Sequence, residues 1–320
     1  MSTSAPDLRE RITISGRLEI DGLDHLIGAL DPLLRATSRT ETVVDLSGVS
    51  YAKPSGIAVL RSALHRAVGD GILDGGSNLV EPRSSDVARY VRRMNAFEGI
   101  VTFGTPEAFR RHPPRGFAPA MTFPTEECSE EDAARGLMAS FPTTLPPIVR
   151  QALHRSLVEL SENVVLHAGP TLGIAGAQSW VTRNRGWIEM AIADRGVGIP
   201  DALRANPVYA DLSDAEALTM ALNLDVTGHT AGTPGYGVRR GYGLWEVSEL
   251  VKANGGRLHV RSGSHALHMS AEGPVVTERD VHWPGTIVVL ELDLQGSFVI
   301  SEAWQAALPE GTALDDEITL

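Results

Sequence analysis

Cysteine is almost absent from this 320-residue chain: Cys128 stands alone, so no internal disulfide can form. It lies in the run Glu126-Glu127-Cys128-Ser129-Glu130, where neighbouring carboxylates disfavour a thiolate, and it reads as an inert thiol in a reducing cytoplasm. An excess of positive charge is lacking too. Lys and Arg number 28 against 40 Asp and Glu, a formal net charge of -12. That balance argues against broad binding to nucleic acid or to an anionic membrane and leaves proteins or small molecules as partners. No apolar run is long enough to span a bilayer, and the N-terminus MSTSAPDLRERITISG has neither the basic start nor the apolar core of an export signal. The expectation is a soluble, unexported protein. No internal repeat is visible, and the glycines, 32 in all, cluster between about residues 169 and 263 without a fixed period, which suits phosphate-cradling loops and turns.

What is present is enough chain for two cores, at roughly 100–200 residues per domain. Residues 1–112 alternate strand and helix patterns and predict a small α/β domain. RITISGRLEI reads as strand, and residues 23–34 read as a helix with Leu26, Ile27, Leu30 and Leu34 at helical spacing. Thr42-Val43-Val44-Asp45-Leu46 looks like a buried strand. Ser55 then precedes Gly56 and a stripe of Ile57, Leu60, Leu64 and Ala67, the place of a helix N-cap. A short strand at 78–80 and a helix through Val87, Val91 and Met94 complete the unit. Arg111-His112-Pro113-Pro114-Arg115-Gly116 has the composition of a linker, which places a second domain at residues 117–295 and a peripheral acidic tail at 296–320.

In the second domain, 118–123 reads as strand and 130–139 as helix. Thr144-Leu145-Pro146-Pro147 then opens a long helix, with Thr144 at the cap, that carries Val149, Leu153, Leu157, Leu160 and Val164 on one stripe and stops at Gly169-Pro170. Residues 178–182 and 187–194 look like a hairpin turning near Asn184 and Gly186. Ser213-Asp214-Ala215-Glu216 is a capping box. A helix over 243–254 is followed by strands near 257–261, 266–271 and 286–294.

Four elements of this second domain carry chemistry. Glu159 and Asn163 are four apart on the long helix and project from one face; they are either a solvated face or a pair in which a carboxylate directs a water and an amide oxygen binds Mg2+. Ile192-Ala193-Asp194-Arg195-Gly196-Val197-Gly198 ends an apolar strand with a D-x-G-x-G pattern, either a turn or a site where Asp194 accepts from an adenine amine while glycines let the base approach. Gly235-Tyr236-Gly237-Val238-Arg239-Arg240-Gly241-Tyr242-Gly243-Leu244 runs into a helix, either a surface loop or an anion site of backbone amides helped by Arg239 and Arg240. Trp283-Pro284-Gly285-Thr286 leads into a strand.

In this order and spacing, the four elements resemble the N box, G1 box, G2 box and closing G-T motif of the GHKL ATPase superfamily, which contains histidine kinases, MutL-like ATPases and anti-sigma factor kinases. The resemblance covers about residues 117–294 and implies an α/β sandwich, a mixed sheet covered by helices, that binds ATP with Mg2+. It makes Glu159 the general base or polariser, Asn163 the Mg2+ ligand and Asp194 the adenine anchor. Gly196 and Gly198 would shape the base pocket, and Thr286 would support adenine. Gly235, Gly237, Arg239, Arg240, Gly241, Gly243 and Leu244 would form the phosphate-covering lid. The stretch LPPIVRQALHRSLVELSENVVLHAG looks most like the anti-sigma factor serine kinases. A histidine kinase would need a phospho-accepting His beside an acidic residue on a helical hairpin, and neither His65-Arg66 nor His154-Arg155 fits. His167, His265 and His268 read as ordinary polar or packing residues.

Residues 43–60, VVDLSGVSYAKPSGIAVL, resemble the core of STAS domains, the fold of anti-sigma factor antagonists. That resemblance makes Ser55 a candidate phosphoacceptor, although Lys53 and Pro54 replace the acidic and small residues usual ahead of it; a structural N-cap is the other reading. The expected function is therefore an ATPase or protein serine kinase of a bacterial partner-switching pathway, with a non-catalytic ATP-gated binding module as the alternative. The partners expected are ATP and a regulatory protein of the sigma-factor or STAS-antagonist type, with a homodimer left open. A conformational ATPase of the MutL kind fits less well, since only about 25 residues follow Leu294.

Overall fold

The computed structural model describes residues 10–36, 42–73, 79–98, 100, 116–167, 172–182, 186–228, 243–299, 301 and 304. In the N-terminal unit, β1 (Glu10–Leu18), β2 (Thr42–Ala52) and β3 (Leu79–Val80) form a parallel sheet in that order. Parallel neighbours need crossovers, here α1 (Leu23–Arg35) and α2 (Pro54–Gly69), with α3 (Ser85–Arg93) following β3. Leu23, Leu26, Ile27, Leu30 and Leu33 recur at helical spacing and bury one face of α1.

Helix α2 is different, because it is buried on every side from Pro54 to Leu64. A helix buried all round must be covered from two directions. Its start presses on the end of β1, where a Cβ at Gly56 would come within 2.4 Å of the Leu18 backbone. Lys53 takes the N-cap position and Pro54 begins the helix, so Ser55 lies inside the first turn and is not the cap expected of it.

The C-terminal unit contains β4 (Phe117–Phe123), α4 (Glu130–Met138), α5 (Pro147–His167), β5 (Gly173–Val181), β6 (Gly186–Ala193), α6 (Gly198–Arg204), α7 (Asp214–Met220), α8 (Gly243–Asn254), β7 (Arg257–Ser270) and β8 (Gly273–Asp293). Its sheet has the order β4-β5-β6-β8-β7. Every described pairing in it is antiparallel, where a mixed sheet was expected; the parallel pairings belong to the N-terminal unit. The three short strands predicted after α8 are two long ones, a hairpin that continues through polar residues. The capping box forms as expected, with the Glu216 backbone N–H donating to Ser213 Oγ and the Ser213 N–H to Glu216 Oε2.

Strand alternation sends residues to opposite faces of this sheet. Ile188, Met190, Ile192, Val288, Leu290 and Leu292 join α4, α5 and α8 in one core. Ala191, Ala193, Ile287 and Val289 face the other way and share a second core with α1 and α2. The two α/β units are thus packed around one common apolar cluster, with α1 and α2 between the two sheets.

Polar groups are fitted into that junction. The Arg61 guanidinium from α2, almost fully buried, donates to the carbonyl of Asn95 at 2.8 Å, to that of Ala120 and to Thr122 Oγ1 at 2.6 Å. Burial lowers its pKa to about 10, so it remains charged at neutral pH. Glu189 of β6 and Glu291 of β8 are cross-strand partners, and Lys53 Nζ lies 3.3 and 3.2 Å from their carboxylates. Glu189 also accepts the Ser55 backbone N–H at 2.9 Å, so one unit supplies the missing cap of the other unit's helix. Burial pushes the Glu189 carboxyl up to about 7 against the attraction of Lys53.

Residues 111–115 of the expected linker lie outside the described residues. The tail expected to be peripheral sends Phe298 and Trp304 into the α4–α5–α8 core, where their apolar surface is removed from water.

Candidate functional site

A cavity of about 590 Å³ opens on the face of the antiparallel sheet that α5 and α8 cover. Glu159 and Asn163 of α5 line it together, as their four-residue spacing requires, along with Asp194, Gly198, Leu244 and Thr286. Four segments far apart in sequence therefore meet at one hollow.

The strand end that forms its floor is tightly specified. Asp194, next after β6, donates its backbone N–H to the Thr286 carbonyl at 2.9 Å, and its Oδ1 accepts the Gly196 N–H at 2.7 Å. The Trp283 indole N–H donates to the Asp194 carbonyl at 2.8 Å. Two glycines are needed here for space as well as conformation. Gly198 has φ +81 and a Cβ on it would meet Ser262 Oγ at 2.6 Å; Gly285 has φ +115 and its Cβ would meet the Asp194 carbonyl oxygen at 2.5 Å. Buried Ser262 ties the two loops together, accepting from the Ile199 N–H at 3.0 Å and donating to the Gly285 carbonyl at 2.9 Å. Burial raises the Asp194 carboxyl to about 6, against hydrogen bonds from the Gly196 and Thr286 backbones.

On the other wall, α8 begins at Gly243, where a Cβ would lie 3.4 Å from the Glu159 side chain. The helix is fixed in register by Glu246, whose carboxylate accepts from Arg155 Nη2 at 2.5 Å and from Ser156 Oγ at 3.3 Å. Arg155 is one turn before Glu159 and also lines the cavity. Glu130, Glu131, His154 and His167 stand on the lining as well; sequence spacing gave no reason to choose them. Ser262 and Glu246 were equally hidden, because they act through packing and backbone contacts that no motif encodes; Trp283 stood in the fourth element, but only as its flank to Gly285 and Thr286.

Of the other expected site residues, Gly196 contributes its N–H to Asp194 and Gly243 starts α8. Gly235, Gly237, Arg239, Arg240 and Gly241 lie outside the described residues. Ser55 is on the opposite face of the sheet from the cavity and fully buried. A phosphate on its hydroxyl would have to be accommodated beside the Glu189 carboxylate, and in this arrangement neither the cavity nor a second protein reaches it. His268 contacts His259, with ring centroids 4.3 Å apart. Cys128 is half-buried, and burial together with Asp132 raises its thiol, in keeping with an inert side chain. No cluster of three or more His, Cys, Asp or Glu suited to a metal occurs among the described residues. No helix among them is long and apolar enough to cross a membrane.

Residues 1–72 match the family described as "Mlab, STAS domain". The N-terminal unit is STAS-like. The parallel β1-β2-β3 sheet, with α1 and α2 as its crossovers, is the part of the fold that this match covers or borders. Comparison with curated proteins and with solved structures gives no match. The cavity lies wholly in the unit that follows the STAS-like one.

Proposed function

We propose that the C-terminal unit binds Mg-ATP and is a GHKL-type domain closest to the anti-sigma factor serine kinases, acting in partner switching with the STAS-like unit attached. The observation that carries this reading is the convergence of Glu159, Asn163, Asp194, Leu244 and Thr286 on one cavity, whose volume is in the range usual for small-molecule sites. Asp194 is suited to the adenine: a buried carboxylate that accepts from the Gly196 and Thr286 backbones still has lone pairs left for an exocyclic amine. Asn163 offers a hard amide oxygen to Mg2+, whose remaining ligands would come from phosphate and water. Bound with the nucleotide, Mg2+ would offset the charge of the phosphates.

On this reading Glu159, on the cavity lining, acts as general base. It would take the proton of a water or a serine hydroxyl as that oxygen attacks the γ-phosphorus and ADP departs. The acceptor is not Ser55 of the same docked chain, since the sheet separates that residue from the cavity. A serine of a separate regulatory protein, of the sigma-factor or STAS-antagonist type, is the acceptor this reading favours. The burial of Ser55 also favours a second reading, in which ATP gates partner binding without chemistry.

Isothermal titration with Mg-ATP, together with phosphate release and mass spectrometry for phosphoserine, tests both. Wild type is expected to bind and turn over. Glu159→Gln is expected to bind and fail to turn over, and Asp194→Asn to lose binding. Binding without turnover in wild type, with candidate partners present, selects the gating reading; no binding at all removes both.

A further inference from the structure

Trp283 is among the largest fully buried side chains of the described residues, and it belongs to the cluster shared with the N-terminal unit. Its indole N–H has left that apolar cluster's company for one acceptor, the Asp194 carbonyl, at 2.8 Å. A buried indole N–H needs such a partner, and a buried carbonyl needs such a donor. The Asp194 peptide is thereby held from both sides of the sheet edge. Thr286 takes its N–H, Gly285 packs against its carbonyl too closely to admit a Cβ, and Trp283 reaches it from the face opposite the cavity.

We infer that Trp283 is a positioning residue for the base-binding end of the cavity, aiming the Asp194 carboxylate by fixing its backbone carbonyl to the core shared with the STAS-like unit. The inference rests on the nucleotide reading above. The direction of a side chain follows from the orientation of its own peptide, so a carbonyl released from the indole lets Asp194 drift while Glu159 and Asn163, on α5, keep their places. The surroundings of Trp283 make this anchor a property of both units. Its neighbours His282 and Pro284 border a smaller cavity whose other wall is Asp31, Leu34 and Arg35 of α1. Arg195, next to Asp194, extends its guanidinium to within 3.5 Å of the Leu34 carbonyl. The end of α1 thus abuts both strand ends that build the base-binding floor.

Trp283→Phe keeps a ring in the core and deletes the N–H. Leu30→Ala opens a cavity in the same shared core, leaves Trp283 intact and controls for general loosening. Isothermal titration with Mg-ADP is expected to show affinity weakened roughly tenfold in Trp283→Phe, the scale of one lost buried hydrogen bond, and unchanged in Leu30→Ala. In wild type, the Trp283 indole resonance, assigned through its proximity to Asp194, is expected to shift as Mg-ADP saturates the protein. Equal affinity of wild type and Trp283→Phe overturns the inference, as does a parallel loss in both variants. If Trp283→Phe does not fold, the wild-type resonance decides: a signal unmoved at saturation overturns it. A wild type that binds no nucleotide overturns the nucleotide reading and this inference with it.

Discussion

The Asp194 carboxyl is harder to ionise in the folded chain than in the unfolded one, because burial disfavours its charge. An unfolded Asp ionises near 3.9, whereas this one is raised to about 6. For an acid shifted upward, the folded state holds the proton more tightly, so stability is greatest below about 4 and is lost as pH rises towards 6. Above that, the ionised group costs about 2–3 kcal/mol. Asn keeps an oxygen for the Gly196 N–H and carries no charge. Asp194→Asn is therefore expected to melt higher than wild type at pH 8, to match it near pH 4 and to lose nucleotide at both. Thermal scans at the two pH values check this, and a variant that melts lower at pH 8 contradicts it. Nucleotide affinity of wild type should also fall as pH drops through 6, since a protonated Asp194 has less capacity to accept. Such a residue sacrifices stability for a ligand, which is why a D-x-G-x-G run was readable as a site as well as a turn.

Element by element, legibility tracked how far local pattern governs structure. Helix α8 spans the residues expected of it, because a glycine-rich entry and a two-glycine exit bracket its apolar stripe. The sequence of the β7–β8 hairpin predicts short strands because its outer part carries Thr277, Glu278, Arg279 and Asp280, polar residues that pair only once the strands are extended together. Helix α2 shows a different limit. Its apolar stripe was visible, but burial of the remaining sides comes from another unit, and the residues there, Ala58, Ser62 and Ala63 with the charged Arg61, do not announce it. Gly56 is the sharpest constraint on this helix: Gly56→Ala would press a methyl onto the Leu18 backbone at 2.4 Å, where no flexible side-chain end can yield. Helix propensity alone would make that change favourable by about 1 kcal/mol. Overpacking is expected to outweigh it, with a net destabilisation of about 2 kcal/mol. Equilibrium denaturation measures the sign, and a stabilised Gly56→Ala would show that the helix start is free to move away from β1.

At the scale of the whole molecule, the linker-like run 111–116 suggested two bodies joined by a tether, and the composition around it gave no hint that they share a core. The trace of that core in sequence is slight: alternating Ala191 and Ala193, Ile287 and Val289 read equally well as the inner face of a sheet covered by its own helices. Nothing in the sequence separates Glu189 and Glu291 from outward-facing strand carboxylates, yet they are buried against Lys53 and the start of α2. Removing residues 1–115 would therefore do more than delete a regulatory module. It would bare Ile174, Ala191, Ala193, Ile287, Val289 and Trp283 together, and would strip Glu189 of Lys53 and of the Ser55 N–H. A contiguous apolar face of this kind is the sort that drives association in water. The truncated chain is expected to elute as oligomers or aggregate, to bind a hydrophobic dye and to melt well below the full chain. Light scattering on a size-exclusion column checks the first of these directly. A monomeric fragment with full-length thermal stability and nucleotide affinity would mean that the shared core is dispensable, and that the base-binding end does not depend on the STAS-like unit behind it.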